Sequence, residues 1–287
     1  MTEKIHALRL ARTLLFVPGN RPERYAKALG SGADAVVLDL EDAVAPPDKA
    51  AARAAIAQAA SELQAAAVPV VVRVNTPTGA TGLEDLQWWR ATPALNGLAA
   101  MVPKAESAGD LARVREAMGG GAAALLPLIE SAAGWHALGE IAAAPGVVRL
   151  VLGHLDFQAD TGLRCSPDER EIDPLRFAIA MHTRLQQLAP AVDGVTTAID
   201  DEARLREDTQ RALRFGFGAK LCIHPRQVQG VHAAMMPTEA EVAWARRVVA
   251  ADEASGGAAV QLDGRMVDMP VVLQARRLLA RLRPLPD

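Results

Sequence analysis

A repeating alternation constrains this chain most. Eight short apolar runs are separated by longer stretches of helical character. They span residues 13–17, 35–40, 69–74, 98–102, 123–129, 147–152, 192–198 and 219–223. The runs are continuous rather than alternating, the pattern of strands buried on both faces of a parallel sheet. Such strands need helices over them, and eight βα units point to a (β/α)8 TIM barrel. A barrel of this kind takes ~250 residues, so the 287 present leave room for a short appendage. An open doubly wound sheet is the competing arrangement. It is disfavoured because no G-x-G-x-x-G opens the first helix.

The intervening stretches carry helix signals. Residues 48–64 are dense in Ala, with Lys49 and Arg53 spaced for one polar face. Ser107 caps a predicted helix over 107–118. Asp200 or Asp201 caps another over 200–215, which stops at Gly216. The N-terminus reads as a lead-in to the first strand and lacks a signal-peptide pattern. Beyond the eighth strand, helices are expected over 238–253 and 270–282, separated by a Gly-rich loop at 255–258. The expected division is therefore a barrel over 1–235 and a C-terminal helical extension over 236–287. The extension is too small for an independent domain. It is expected to pack on its own barrel or on a neighbouring subunit.

Composition narrows the class. Apolar residues make up 50% but aromatics only 3%, so the core is built from small and branched aliphatic side chains. A net charge of −3 gives no basic balance for nucleic acid. No window reaches the ~20 apolar residues of a membrane span. Two cysteines, Cys165 and Cys222, make no disulfide framework, and a cytoplasmic location is expected.

In a barrel, polar residues at the C-terminal strand ends point into the site. Five runs end in charge. The second ends Asp39-Leu40-Glu41-Asp42, three acids that call for a nearby cation or, alternatively, cap the next helix. The third carries Arg73 within the run and Asn75 at its end. Arg73 suits bidentate binding of a carboxylate, or an ion pair with Asp39 or Glu41. Lys104, after the fourth, is open to three readings: an anion contact, a structural partner for the acids, or a Schiff-base amine. Glu130 ends the fifth run and Asp156 the sixth. Two carboxylates on adjacent strand ends make a hard-oxygen site suited to Mg²⁺, although each alone is also a common helix cap. His154 precedes Asp156 by two residues and is a possible base or a core residue. The six histidines do not fall at zinc-ligand spacings. His224 reads as a cap on the last βα turn, and Cys222 as a packed thiol.

These residues lie in segments that resemble the HpcH/HpaI aldolase–citrate lyase superfamily, with the citrate lyase beta-subunit-like (CitE-like) branch nearest and malyl-CoA lyases as relatives. The segments are RTLLFVPG at 12–19, LDLEDAVAP at 38–46, VRVN at 72–75, PKAES at 103–107, LIES at 128–131, GFGAKLCIHPRQV at 216–228 and DGRMVD at 263–268. The resemblance implies a TIM barrel that assembles as trimers or hexamers. It implies Mg²⁺ on Glu130 and Asp156, and Arg73 on an oxo-acid carboxylate. Glu41 and Asp42 are implied to hold metal-bound water or the arginine, and Asp268 to reach into a neighbour's site. Lys104, Asn75 and Arg12 complete the expected substrate contacts. The implied reaction cleaves or forms a 3-hydroxyacyl thioester of CoA or an acyl carrier, such as a malyl, citramalyl or citryl ester, with a 2-oxo acid as the other product. A pyruvate-using aldolase of the same superfamily is the nearest alternative. It relies on an early His, whereas Pro18-Gly19-Asn20-Arg21 follows the first strand here. A non-catalytic barrel subunit is the other alternative.

Overall fold

The computed structural model describes residues 3–121 and 123–282. The chain divides into two compact units, Met1–Ala234 and Met235–Asp287.

The first unit is built on a closed, all-parallel barrel of eight strands in chain order. They are β1 (Thr13–Pro18), β2 (Ala35–Asp39), β3 (Val70–Arg73), β4 (Ala99–Val102), β5 (Leu125–Ile129), β6 (Val151–Leu152), β7 (Val192–Asp193) and β8 (Ala219–Cys222). β1 closes the ring by pairing with β2 and β8. All eight expected strands form, and four of them (β2, β3, β7 and β8) end sooner than their apolar runs do. β7 stops at Asp193, and the next residue, Gly194, packs against the His154 ring, where a Cβ would collide. Around the barrel run helices α1 (Glu3–Leu10), α2 (Tyr25–Leu29), α3 (Lys49–Ala65), α4 (Ala80–Arg90), α5 (Ala108–Ala117), α6 (Ala132–His136), α7 (Leu138–Ala143), α8 (His154–Thr161), α9 (Asp173–Leu185), α10 (Glu202–Arg214) and α11 (Pro225–Met235). Ser107 caps α5 through the Asp110 amide, and Asp201 caps α10 through the Arg204 amide. Gly216, at φ 86°, stops α10 in the left-handed conformation that only glycine adopts without strain.

Period two decides what faces the barrel axis. Ala35 and Val37 join the central apolar cluster, as do Val71, Leu126 and Leu128. The same parity brings Asp39, Arg73 and Glu130 inward, one step further along each strand. The interior is thus hydrocarbon below and charged at the C-terminal mouth.

The lead-in folds as α1, beneath the opposite end. Its last carbonyls need donors, as at any helix C-terminus. Fully buried Arg149 supplies them, donating through Nη1 to Leu8 O (3.1 Å) and Ala11 O (2.6 Å) and through Nε to Pro190 O (2.7 Å).

The second unit contains α12 (Glu239–Ala254), an antiparallel hairpin of β9 (Val260–Leu262) and β10 (Arg265–Val267), and α13 (Met269–Ala280). Thr238 and Glu241 form a capping box on α12. The hairpin was not foreseen. Its signal is Asp263-Gly264, both at positive φ (52° and 75°), as a tight two-residue turn demands. Ala245, Val248, Val267, Val272 and Ala275 form this unit's own apolar cluster.

Replacing Arg149 by Leu leaves the carbonyls of buried Leu8 and Ala11 without this donor, each worth about 1–3 kcal/mol, and also frees that of exposed Pro190. Arg149→Leu is expected to lower unfolding stability by about 3 kcal/mol or more in urea titration. Amide exchange in α1 should accelerate before that of the barrel strands.

Candidate active site

The mouth is organised around one cation. Asp39 and Arg73 are register partners on β2 and β3. Arg73 donates to both Asp39 oxygens, Nε to Oδ1 at 2.7 Å and Nη2 to Oδ2 at 2.6 Å. Its Nη1 lies 2.8 Å from Glu41 Oε2 and 3.5 Å from Asp42 Oδ2. The contact with Glu41 is an ion pair without hydrogen-bond alignment, so that buried oxygen has no aligned donor among the described residues. Below, the Phe16 ring faces the guanidinium at 4.9 Å. Burial opposes the Arg73 charge, but Asp39, Glu41 and Asp42 outweigh it and raise its pKa. Asp39 also accepts the Glu41 and Ala43 amides (2.9 and 3.0 Å), which folds the strand end back around it.

Glu130, 2% exposed, stands across the mouth. Its Oε1 accepts the Lys104 amide at 2.7 Å. Lys104 adopts a left-handed backbone (φ 44°), unusual for a side chain of its size. Gly153 makes room for the rest of the carboxylate, because a Cβ there would collide with Glu130 Oε2 and Cβ. Burial first, then the charge of Glu41, then that of Asp156, push the Glu130 carboxyl up to about 8, against the pull of the Lys104 amide and Arg73. Glu41 is likewise pushed up to about 7, by burial first; Arg73 opposes this, while Asp42 and Asp39 add to it.

Several expectations need correcting. Asp156 does not end a strand. Gly153 breaks away from β6, and Asp156 lies in the first turn of α8, half-buried, where its charge still bears on Glu130. His154 does not share its orientation, since residues two apart on a helix diverge. It points behind the barrel wall, with Nε2 3.7 Å from Glu169, and burial lowers its pKa. Arg12 precedes β1 and so lies at the opposite end of its own barrel, with Nε 3.8 Å from Asp34. Asn75 is not aimed at a substrate. Both Nδ2 donors are engaged, to Leu40 O (2.9 Å) and Asp85 Oδ2 (2.7 Å), and Oδ1 accepts from Lys49 (2.6 Å). Lys104 keeps an exposed side chain at the mouth, and its charge bears on Glu41. Asp268 belongs to the second unit, where it caps α13 through the Val271 amide at 3.4 Å. Asp39 was given no functional role from the sequence, although it shares the inward parity of Arg73. His224 accepts the Arg226 amide, as a turn cap does, and burial pushes the Cys222 thiol up to about 12.

The network behind the wall is separate from the mouth. Lys220 and Asp193 pair at 2.8 Å, and Arg176 Nε approaches Asp193 at 3.9 Å. Glu169, on a left-handed backbone (φ 52°), meets Arg176, then Arg211 at 2.8 Å and Arg204 at 3.5 Å.

Among the described residues, no three His, Cys, Asp or Glu side chains gather into a metal cage. Glu130 and Asp156 form an open pair instead. They are oxygen donors whose repulsion a cation would relieve, with Glu130 Oε2 unclaimed by the Lys104 amide. That donor set fits Mg²⁺, which keeps several positions for water and substrate oxygens. Fold and site together define a (β/α)8 barrel whose mouth presents an arginine beside an open two-carboxylate pair.

The comparisons agree. The profile of the HpcH/HpaI aldolase/citrate lyase family matches residues 12–225. A citrate lyase subunit beta-like protein of Deinococcus radiodurans is 38% identical over 94% of this chain and 97% of its own. A (3S)-malyl-CoA thioesterase of Cereibacter sphaeroides is 32% identical, covering 94% of each chain. The crystal structure of CitE from Mycobacterium tuberculosis, in complex with magnesium, acetoacetate and coenzyme A, superposes with a TM-score of 0.81 at 35% identity, covering 95% of this chain and 98% of that one. The chain belongs to the HpcH/HpaI aldolase/citrate lyase family and is an enzyme of the lyase type.

The raised carboxyls set the pH response. Between about pH 5 and 8 the native state retains protons on Glu41 and Glu130 that the unfolded chain has released, so stability of the metal-free protein falls as pH rises. Mg²⁺ needs the ionised carboxylates, so its affinity should climb over pH 6–8 with proton release. Melting curves across pH, and calorimetric titration in buffers of different ionisation enthalpy, check the two halves.

Proposed function

We propose that this chain is a Mg²⁺-dependent carbon–carbon lyase acting on a 3-hydroxyacyl thioester of CoA or an acyl carrier, with a 2-oxo acid and an acetyl thioester as the other side of the reaction. The observation that carries this reading is the open Glu130–Asp156 pair beside Arg73. It provides a hard-cation site and a carboxylate grip in one mouth. The magnesium, acetoacetate and coenzyme A bound by the CitE relative support it.

Glu130 and Asp156 would hold the ion. When bound, it supplies Lewis acidity to the oxygen on which charge develops as the bond breaks, an effect worth several kcal/mol. Arg73 receives the oxo-acid carboxylate on the edge it shares with Glu41 and Asp42. Asp39 keeps the guanidinium from swinging, since it already occupies Nε and Nη2. In the cleavage direction, the 3-hydroxyl loses its proton, the bond between the carbinol carbon and the thioester α-carbon breaks, and its electron pair stays on the α-carbon. Glu41, with a carboxyl pushed up to about 7, is suited to take the hydroxyl proton near neutrality. The thioester enolate then takes a proton on carbon. Asp268, contributed by a neighbouring copy in a trimer or hexamer, is the proposed donor. Lys104 stands at the mouth as an anion contact, with CoA phosphates as its partner. A cytoplasmic location suits a CoA-linked reaction.

Two substitutions test the assignment. Glu130→Gln removes the buried charge and is expected to lower cleavage of malyl-, citramalyl- or citryl-CoA about 100-fold or more, with weaker Mg²⁺ binding. Wild-type rates for that variant would overturn the metal assignment. Asp268→Asn keeps a competent helix cap, so its melting point should hold while turnover drops. Unchanged turnover would remove Asp268 from the mechanism.

A further inference from the structure

Lys49 occupies the first position of α3, and no acidic residue shares that turn. A cation there opposes the helix dipole, which favours anions at this end. Such a breach of a local rule needs a tertiary reason, and the side chain shows one. Its ammonium donates to Leu40 O (2.8 Å), Glu41 O (2.8 Å) and Asn75 Oδ1 (2.6 Å). An ammonium has three protons, so these bonds use all of them.

The three acceptors belong to the ends of β2 and β3, the strands that carry Asp39 and Arg73. Glu41 is thereby pinned on both sides of its backbone. Its amide is held by Asp39 Oδ1 at 2.9 Å, and its carbonyl by Lys49. Behind Lys49 the bonds continue. Asn75 gives its amide and Nδ2 to Asp85 Oδ2, each at 2.7 Å, and the fully buried Asp85 is paired through Oδ1 with Arg53 at 2.8 Å. Arg53 lies one turn after Lys49 on the same helix face. One face of α3 therefore holds the end of β3 and the Glu41 loop at two points.

We infer that Lys49 is a positioning residue for oxo-acid binding, acting through the Leu40 and Glu41 carbonyls and the Asn75 side chain to hold the Glu41 carboxylate against Arg73. The inference rests on the reading of Arg73 as the carboxylate grip. Lys49 touches neither the substrate nor the metal pair. It fixes where Glu41 meets Arg73, and so which edge of the guanidinium a carboxylate can approach. Without it, Asn75 Oδ1 loses its donor, Leu40 O keeps only Asn75 Nδ2 and Glu41 O only the Val44 amide, so the loop that carries Glu41 is more loosely held beside the guanidinium.

The test compares Lys49→Met, which keeps the stem and removes the donors, with Lys49→Arg and the wild type. The first readout needs no substrate: hydrogen exchange of the Glu41 and Ala43 amides and of the Arg73 Nε–H, all of which bond to Asp39. In Lys49→Met their protection is expected to fall about tenfold or more while the amides of β5 and β6 keep theirs. The second readout is pyruvate and oxaloacetate binding with Mg²⁺, and the kcat and KM of thioester cleavage. A misplacement of this kind is expected to cost about 10–100-fold in kcat/KM. Lys49→Arg should recover part of both effects, and ethylammonium should partly restore Lys49→Ala. A uniform loss of protection, or a lowered melting point with kcat, KM and oxo-acid affinity unchanged, overturns the inference. If the wild type binds no oxo acid and cleaves no thioester, the proposed function fails whatever the exchange pattern shows.

Discussion

The mouth depends on one buried guanidinium. Arg73 faces three carboxylates in a space where an isolated charge would be strongly disfavoured, and its bidentate bond to Asp39 fixes its plane. Barrel register makes that bond possible, because the two residues are directly paired on neighbouring strands. A one-residue slip of either strand would turn its charge toward the helices. Removing the arginine would leave Asp39, Glu41 and Asp42 repelling one another in a partly buried site. The ion pair is therefore a condition for this loop conformation as much as a feature of it.

On the far side of the mouth the same problem has an opposite solution. Glu130 receives a backbone amide and little else, and its neighbours Glu41 and Asp156 add to its discomfort. The protein thus holds one acid cluster around a buried cation and another whose charges repel. The left-handed backbone at Lys104 is part of that arrangement, since it turns the amide toward Glu130. Strain of this kind clusters where a site must be held in a set geometry.

The eight strands and the principal long helices were legible because buried parallel strands write continuous apolar runs and helix caps write Ser, Asp and Gly at fixed offsets. The charged strand ends were legible too, because acids and arginine after an apolar run have few other reasons to be there. Sequence reading failed where side-chain direction decided the outcome. Asn75 looked like a substrate contact, but Asp85 and Lys49, distant in sequence, consume its donors and an acceptor. Arg12 lies in a matching segment but at the wrong end of its strand. Asp156 was placed at a strand end because it follows the sixth run so closely, whereas Gly153 turns the chain into α8 first. The β9–β10 hairpin left its mark in Asp263-Gly264, which had been read only as part of a motif.

The network behind the wall gives α8 an unusual mounting. This helix is eight residues long. At its first position His154 packs on Gly194 and against Glu169, which three arginines of α9 and α10 hold in place. Two positions later Asp156 faces the mouth. The helix is a short lever with its fulcrum outside the barrel and its working end inside. Drift in the sequence of α9 or α10 can therefore retune the carboxylate pair by degrees of tilt, without replacing any residue that lines the mouth.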